Sequence, residues 1–186
     1  MSIPHVYLKC DLCEEEWSQG ALVGRCSYEL PDGRLADLDR MLSWCNSCQT
    51  YVPVEKFQTR EKLDRKLASA LKNFKEAQIP VESRILGLFK TMKNPDPDRL
   101  KYSQRNFEEA QATRDWIDLR KSPPRCLCCG SQDISPKSAF KSPEYHHNCG
   151  GMVTSRENEN LRIAYVLQHK IYDTEGNFLR IEKKDS

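Results

Sequence analysis

In Cys126-Leu127-Cys128-Cys129-Gly130 and His146-His147-Asn148-Cys149-Gly150-Gly151, 16 residues (130–145) separate Cys129 from His146, and a Cys-Gly step closes each turn. In each, two donor side chains two residues apart can reach one point from a single tight turn. The glycine after the second donor suits a backbone that must leave the turn at an unusual φ. The spacing selects Cys126, Cys129, His146 and Cys149 as donors. His147 competes with His146, which is favoured because it stands where the first cysteine of a CxxC pair would stand. Cys128 lies inside its turn and is expected to point away.

Working towards the N-terminus, Cys10-Asp11-Leu12-Cys13 and Cys45-Asn46-Ser47-Cys48 repeat the spacing, with 31 residues between them (14–44). That interval exceeds the roughly 15–20 residues of the commonest pattern and leaves room for a hairpin or an insert. Zn²⁺ takes about four thiolate or imidazole ligands in a tetrahedron, and two such pairs complete that shell. The expectation is two structural zinc ions. One is held by Cys10, Cys13, Cys45 and Cys48, the other by Cys126, Cys129, His146 and Cys149. Both sets resemble zinc ribbons, β-hairpin zinc modules found in transcription and RNA-processing proteins and in many adaptors. The resemblance covers about residues 10–50 and 125–152 and rests on ligand spacing. Glu14 and Gln49 stand where the first set would carry its turn glycines.

The 186 residues include nine cysteines, an odd number that cannot all pair as disulfides. Met1 to His5 show no basic segment leading into an apolar run, so no secretory signal is expected. Nor does any stretch approach the roughly 18 apolar residues of a membrane span. A cytoplasmic, reducing location is therefore expected, where clustered cysteines point to metal rather than disulfides. Cys26, the ninth, is read as a small buried side chain. A reactive thiol would need an electropositive, accessible setting.

Only 38% of the residues are hydrophobic and 30% are charged. So lean a core is marginal for small modules, and metal sites are one way to stabilise them. Three segments are expected. Residues 1–58 form an N-terminal zinc ribbon, with a turn at Leu30-Pro31-Asp32-Gly33-Arg34. Residues 59–121 form a helical hairpin or small bundle. Residues 122–186 form a C-terminal zinc ribbon with an added β-hairpin about Asp173-Thr174-Glu175-Gly176. The fold class is α+β, with two ribbon modules flanking central helices.

In the middle segment, Leu63, Leu67, Ala70, Phe74 and Ala77 recur at helical spacing after a Thr59 cap, and Ile79-Pro80 should end that helix. Ile85, Leu88, Phe89 and Met92 suggest a short second helix. Asp96 caps a third, with Pro97 at its first position, and this one stops at Ser122-Pro123-Pro124. In the last segment, Met152 to Thr154 and the run Leu161 to Tyr172 read as strands. Trp17, Trp44 and Trp116 are read as core.

No phosphate-binding loop, dinucleotide fingerprint or Gly-x-Ser-x-Gly is present, nor the His-x-Glu and Pro-Cys-x-x-Cys order of zinc deaminases. Four protein ligands per ion leave no open position for catalysis. The chain is therefore expected to be no enzyme but an adaptor or accessory protein with a protein partner. The alternative is nucleic-acid binding. Residues 54–101 carry twelve Lys/Arg against seven Asp/Glu, with Lys56, Arg60, Lys62, Arg65, Lys66, Lys72 and Lys75 close together. Glu55, Glu61, Asp64 and Glu76 interleave with them.

Overall fold

A computed structural model describes residues 3–79, 82–85, 88–91, 96–135, 144–163 and 168–182. The chain runs β1 (Ile3–Cys10), β2 (Glu16–Ser18), a 3-10 turn (Gln19–Leu22), β3 (Arg25–Glu29), β4 (Leu35–Asp37), β5 (Arg40–Cys45) and β6 (Thr50–Glu55). It continues through α1 (Arg60–Ala77), β7 (Glu82–Ile85), β8 (Leu88–Thr91), α2 (Pro97–Leu119), β9 (Glu144–Tyr145), β10 (Met152–Ile163), β11 (His169–Tyr172) and β12 (Phe178–Glu182). The described residues are thus of mixed α and β structure, with two α-helices and several small sheets. Two compact units divide it. One contains residues 1–28, 38–57 and 121–186, the other residues 29–37 and 58–120.

In the first unit an antiparallel sheet has the order β2-β1-β10-β9. Its spine is the pairing of β1 with β10, in which Leu8 faces Ser155, Lys9 faces Thr154 and Cys10 faces Val153. Leu8, Cys10 and Val153 are buried with Leu42, Trp44 and Tyr51, and Trp17, Leu22 and Cys149 pack against them. β11 pairs antiparallel with β12 and parallel with β3. The turn from β11 to β12 is held by Asp173, whose Oδ1 accepts from the backbone N–H of Glu175 (2.9 Å) and Asn177 (2.8 Å). β5 and β6 form a hairpin, and the chain after α2 runs alongside it. Leu127 N–H donates to Pro53 O (3.0 Å) and Ser135 N–H to Trp44 O (2.9 Å). The run from Leu161 is not one strand, since β10 ends at Ile163 and β11 begins at His169; residues 164–167 lie outside the described residues.

In the second unit the Thr59 hydroxyl caps α1 by accepting from Lys62 N–H, and the Asp96 carboxylate caps α2 by accepting from Asp98 and Arg99 N–H. Both satisfy donors that a helix leaves open at its start. α1 turns Leu63 and Ala77 inward and α2 turns Ala112, Thr113 and Trp116 inward. The helices run antiparallel. Phe74 stacks on Phe107 at 5.8 Å, Arg114 pairs with Asp64, and Arg60 pairs with Asp118 at 2.8 Å. The loop before β4 reaches α2 through Arg34 to Asp115 (2.8 Å), and Asp37 N–H donates to Thr113 Oγ1 (3.0 Å).

The expected second helix is a hairpin instead, with Ile85 opposite Leu88 and Arg84 opposite Phe89 across β7 and β8. Apolar residues three and four apart mimic a helix, but Gly87 stands between the two runs and glycine weakens a helix interior. Pro80, Met92 and the 183–186 tail lie outside the described residues.

Candidate metal centres

The eight donors chosen from spacing gather into two groups of four, but the partners are exchanged. One group is Cys10, Cys13, His146 and Cys149. The other is Cys45, Cys48, Cys126 and Cys129. The expected partition, which kept each pair with its neighbour in sequence, is corrected by the strand pairing. β1 runs into the Cys10 turn and β10 runs out of the Cys149 turn. Their antiparallel register, with Cys10 opposite Val153, brings those two turns to the same end of one sheet. The other two turns meet because the segment after α2 lies along the β5–β6 hairpin, with bridges Cys45 to Ile134 and Val54 to Cys126. The order is nested, with one centre closing inside the loop of the other.

All four turns share one conformation at the residue after the second donor. Glu14 has φ 61°, Gln49 54°, Gly130 75° and Gly150 76°. Each is left-handed, so Glu14 and Gln49 adopt what glycine adopts elsewhere. The first donor's C=O accepts from this residue at Gln49 (2.8 Å), Gly130 (2.9 Å) and Gly150 (2.7 Å). A non-glycine residue pays roughly 1–2 kcal/mol there, partly offset by glycine's greater freedom when unfolded. Glu14→Gly and Gln49→Gly are each expected to stabilise the metal-loaded protein by about 0.5–1 kcal/mol. Urea midpoints at saturating zinc check this, and a lower midpoint in either variant would contradict it.

Within the first group, Cys10 Sγ is 3.4 Å from Cys149 Sγ. His146 Nδ1 is 3.2 Å from Cys13 Sγ and 3.1 Å from Cys149 Sγ. Within the second, Cys45 to Cys129 is 3.6 Å and Cys48 to Cys126 is 3.8 Å. A tetrahedral ion with bonds to sulfur of about 2.3 Å has edges of about 3.8 Å, whereas a disulfide holds its sulfurs at about 2.05 Å. These separations suit a shared ion.

The charges suit one too. Burial would push the Cys10 thiol up, but the N–H groups of Cys13 and Leu12 and the neighbouring thiols draw it down to about 6. Cys13 is driven up to about 11; the Glu15 N–H lowers it, but burial and the thiols of Cys149 and Cys10 prevail. In the second group burial and neighbouring thiols raise Cys48, and burial lifts Cys126 to about 12. Cys129 falls: burial raises it, but the Ser131 N–H and the other three thiols outweigh that. Without a cation, crowding lets one thiolate form at its neighbours' expense. A divalent ion removes that conflict, because thiolates are its ligands.

His146 is buried and meets the sulfurs through Nδ1. Its Nε2 has no hydrogen-bond partner and lies 3.6 Å from Glu15 Oε2, the side on which a ligating histidine generally finds a carboxylate. Trp17 and Trp44 pack edge-on to its ring at 5.2 and 5.5 Å. His147 is outside the group and stacks on Trp44 at 5.0 Å. Trp44 adjoins Cys45, so one side chain touches both centres' surroundings. Asn148 Nδ2 also donates to Gln49 O at 3.3 Å. Cys128 is exposed and belongs to neither group.

Sequence reasoning missed Glu55, which is fully buried. Its carboxylate accepts from Tyr28 Oη (2.7 Å) and from Arg125 N–H (2.9 Å), tying the segment that delivers Cys126 to β6. A charged residue at a strand end gives no signal of this. Glu55→Gln puts an amide donor against one of those donors and is expected to cost about 1–3 kcal/mol. Chemical unfolding with both centres loaded measures it, and an unchanged midpoint would deny Glu55 this role.

No protein-family model matches the chain, and no curated protein or solved structure matches it. Among the described residues no helix is long and apolar enough to cross a membrane.

Proposed function

We propose that this is a non-catalytic zinc-binding adaptor or accessory protein, in which two structural zinc ions build the scaffold and protein contacts do the work. The observation that carries the reading is the closed donor set. Each group offers four ligand atoms within 4.8 Å of one another, the complement of a structural zinc site, whereas catalytic zinc keeps a position open. Three thiolates and an imidazole, or four thiolates, favour zinc over the hard cations that prefer oxygen.

Exposed apolar side chains support a protein partner. On β12, Phe178, Leu179 and Ile181 are 55%, 46% and 44% exposed, and a strand edge can accept a further strand. The basic residues of the central segment support phosphate binding less well. Arg60 pairs with Asp118, Lys66 with Asp37, Lys72 with Glu76 and Lys56 with Asp39, so much of their charge is already balanced.

Native mass spectrometry of protein expressed in zinc-supplemented medium should give two zinc ions per chain. Crosslinked complexes from source cells should contain a stoichiometric protein that survives nuclease treatment and is lost on chelation. Fewer than two zinc ions would remove the scaffold. Complexes that nuclease dissolves, with binding that weakens steeply with salt, would replace the adaptor with a nucleic-acid-binding protein.

A further inference from the structure

We propose that Cys26 is a nucleophilic thiolate held by the Arg40 guanidinium in an electropositive cavity, and that it is a modification site for small hydroperoxides. Cys26 takes no part in either metal group. It lines a cavity of about 290 Å³ whose charged lining residues are Arg25, Arg40 and Lys170, with no carboxylate among the lining residues.

Arg40 is fixed. Its Nη2 donates to the carbonyls of Leu22 and Gly24, each at 2.7 Å, and its Nη1 donates to Cys26 Sγ. Among the described residues no carboxylate pairs with that guanidinium. Glu55 lies opposite Arg40 in the β5–β6 register, but its oxygens accept from Tyr28 and from Arg125 N–H. A half-buried guanidinium on a thiol, with Lys170 on the same cavity, favours thiolate over thiol. Tyr172 also lines the cavity, and burial, then the charge of Cys26, pushes its hydroxyl up to about 12. The tyrosine therefore stays neutral and does not compete for Arg40.

The chemistry balances with a hydroperoxide, ROOH, as oxidant. The Cys26 sulfur attacks the terminal oxygen, an S–O bond forms and the O–O bond breaks. Cys26 becomes a sulfenic acid, oxidised by two electrons, and the alkoxide leaves and takes a proton from solvent. Lys170, on the same cavity, offsets the charge that develops on the leaving oxygen.

Cys128 provides an internal reference. It lines the same cavity, but Cys128 is exposed whereas Cys26 is buried, so on access alone Cys128 should react first. The test treats the zinc-loaded full chain with hydrogen peroxide, traps sulfenic acid with dimedone and maps it by peptide mass spectrometry. Cys26 should carry about tenfold more label than Cys128, as a thiolate-stabilising setting implies. Arg40→Gln should cut Cys26 labelling by a similar factor while two zinc ions are retained, and Arg40→Lys should restore part of it. Equal or greater label on Cys128, or Cys26 labelling indifferent to Arg40→Gln, overturns the proposal. If Arg40→Gln loses zinc, the ratio in the unaltered protein decides alone.

Discussion

Replacing Cys126 with serine should empty the centre it shares with Cys45, Cys48 and Cys129 and leave the other loaded. Zinc content should fall from two ions to one. Alkylation under native conditions should then reach Cys45, Cys48 and Cys129, while Cys10, Cys13 and Cys149 stay protected. The stability loss should be large, because binding energy at such sites, on the order of 10 kcal/mol, is folding energy. Cys13→Ser should give the complement, exposing Cys10 and Cys149 and sparing the other four. The nested partition fails if Cys126→Ser instead uncovers Cys149 and spares Cys45 and Cys48, the outcome that neighbours in sequence would give. Cys126 sits beside Val54 and Cys10 opposite Val153, so strand register argues against that outcome. The Trp44 ring, edge-on to His146, should report the Cys13→Ser loss as a change in tryptophan emission.

Gly151→Ala should disable the Cys10, Cys13, His146 and Cys149 centre while Gly150→Ala leaves it working. A Cβ at Gly151 would lie 2.6 Å from both Cys10 Sγ and Leu12 Cβ, and 2.9 Å from Asp11 Oδ1. None can retreat freely. The sulfur is one of the four gathered donors, and Asp11 Oδ1 accepts from Met152 N–H at 2.7 Å. Overpacking of this kind costs about 1–3 kcal/mol, and displacing a ligand adds to that, so roughly 3 kcal/mol or more is expected. A Cβ at Gly150 meets nothing within 4 Å, although its φ is 76°, and should cost only about 1 kcal/mol of backbone strain. Zinc competition with a chromophoric chelator compares the two. A weaker effect at Gly151 than at Gly150 would contradict the close approach.

What was legible in the sequence is what depends on neighbours. A CxxC pair is a local turn, so the eight residues that gather into the two groups could be named. Thr59 and Asp96 are local caps, and they begin α1 and α2 where they stand. His146 over His147 followed from spacing alone. The partner of each turn was not legible, because it depends on which distant strand lies beside β1. Cys13 and His146 are 133 positions apart, and nothing local to either records the other. The β7–β8 hairpin was hidden for a different reason: Ile85, Leu88 and Phe89 satisfy two periods at once. The left-handed Glu14 and Gln49 are imposed by the fold against their residue type, so composition could not announce them.

The nested order of the donors also sets a timetable. A ribosome releases the chain from its N-terminus, at about 5–20 residues per second. Cys45 must wait for Cys129, which is 84 positions later, so for about 4–17 seconds four N-terminal thiols exist without their partners. The inner centre becomes chemically complete first, and the outer one closes only after Cys149 emerges. Newly made chains should thus be briefly open to oxidation or to capture by other metals, and most so when zinc is scarce. The finished protein buries Cys10 and Cys45, but its synthesis passes through a stage in which all four are exposed together.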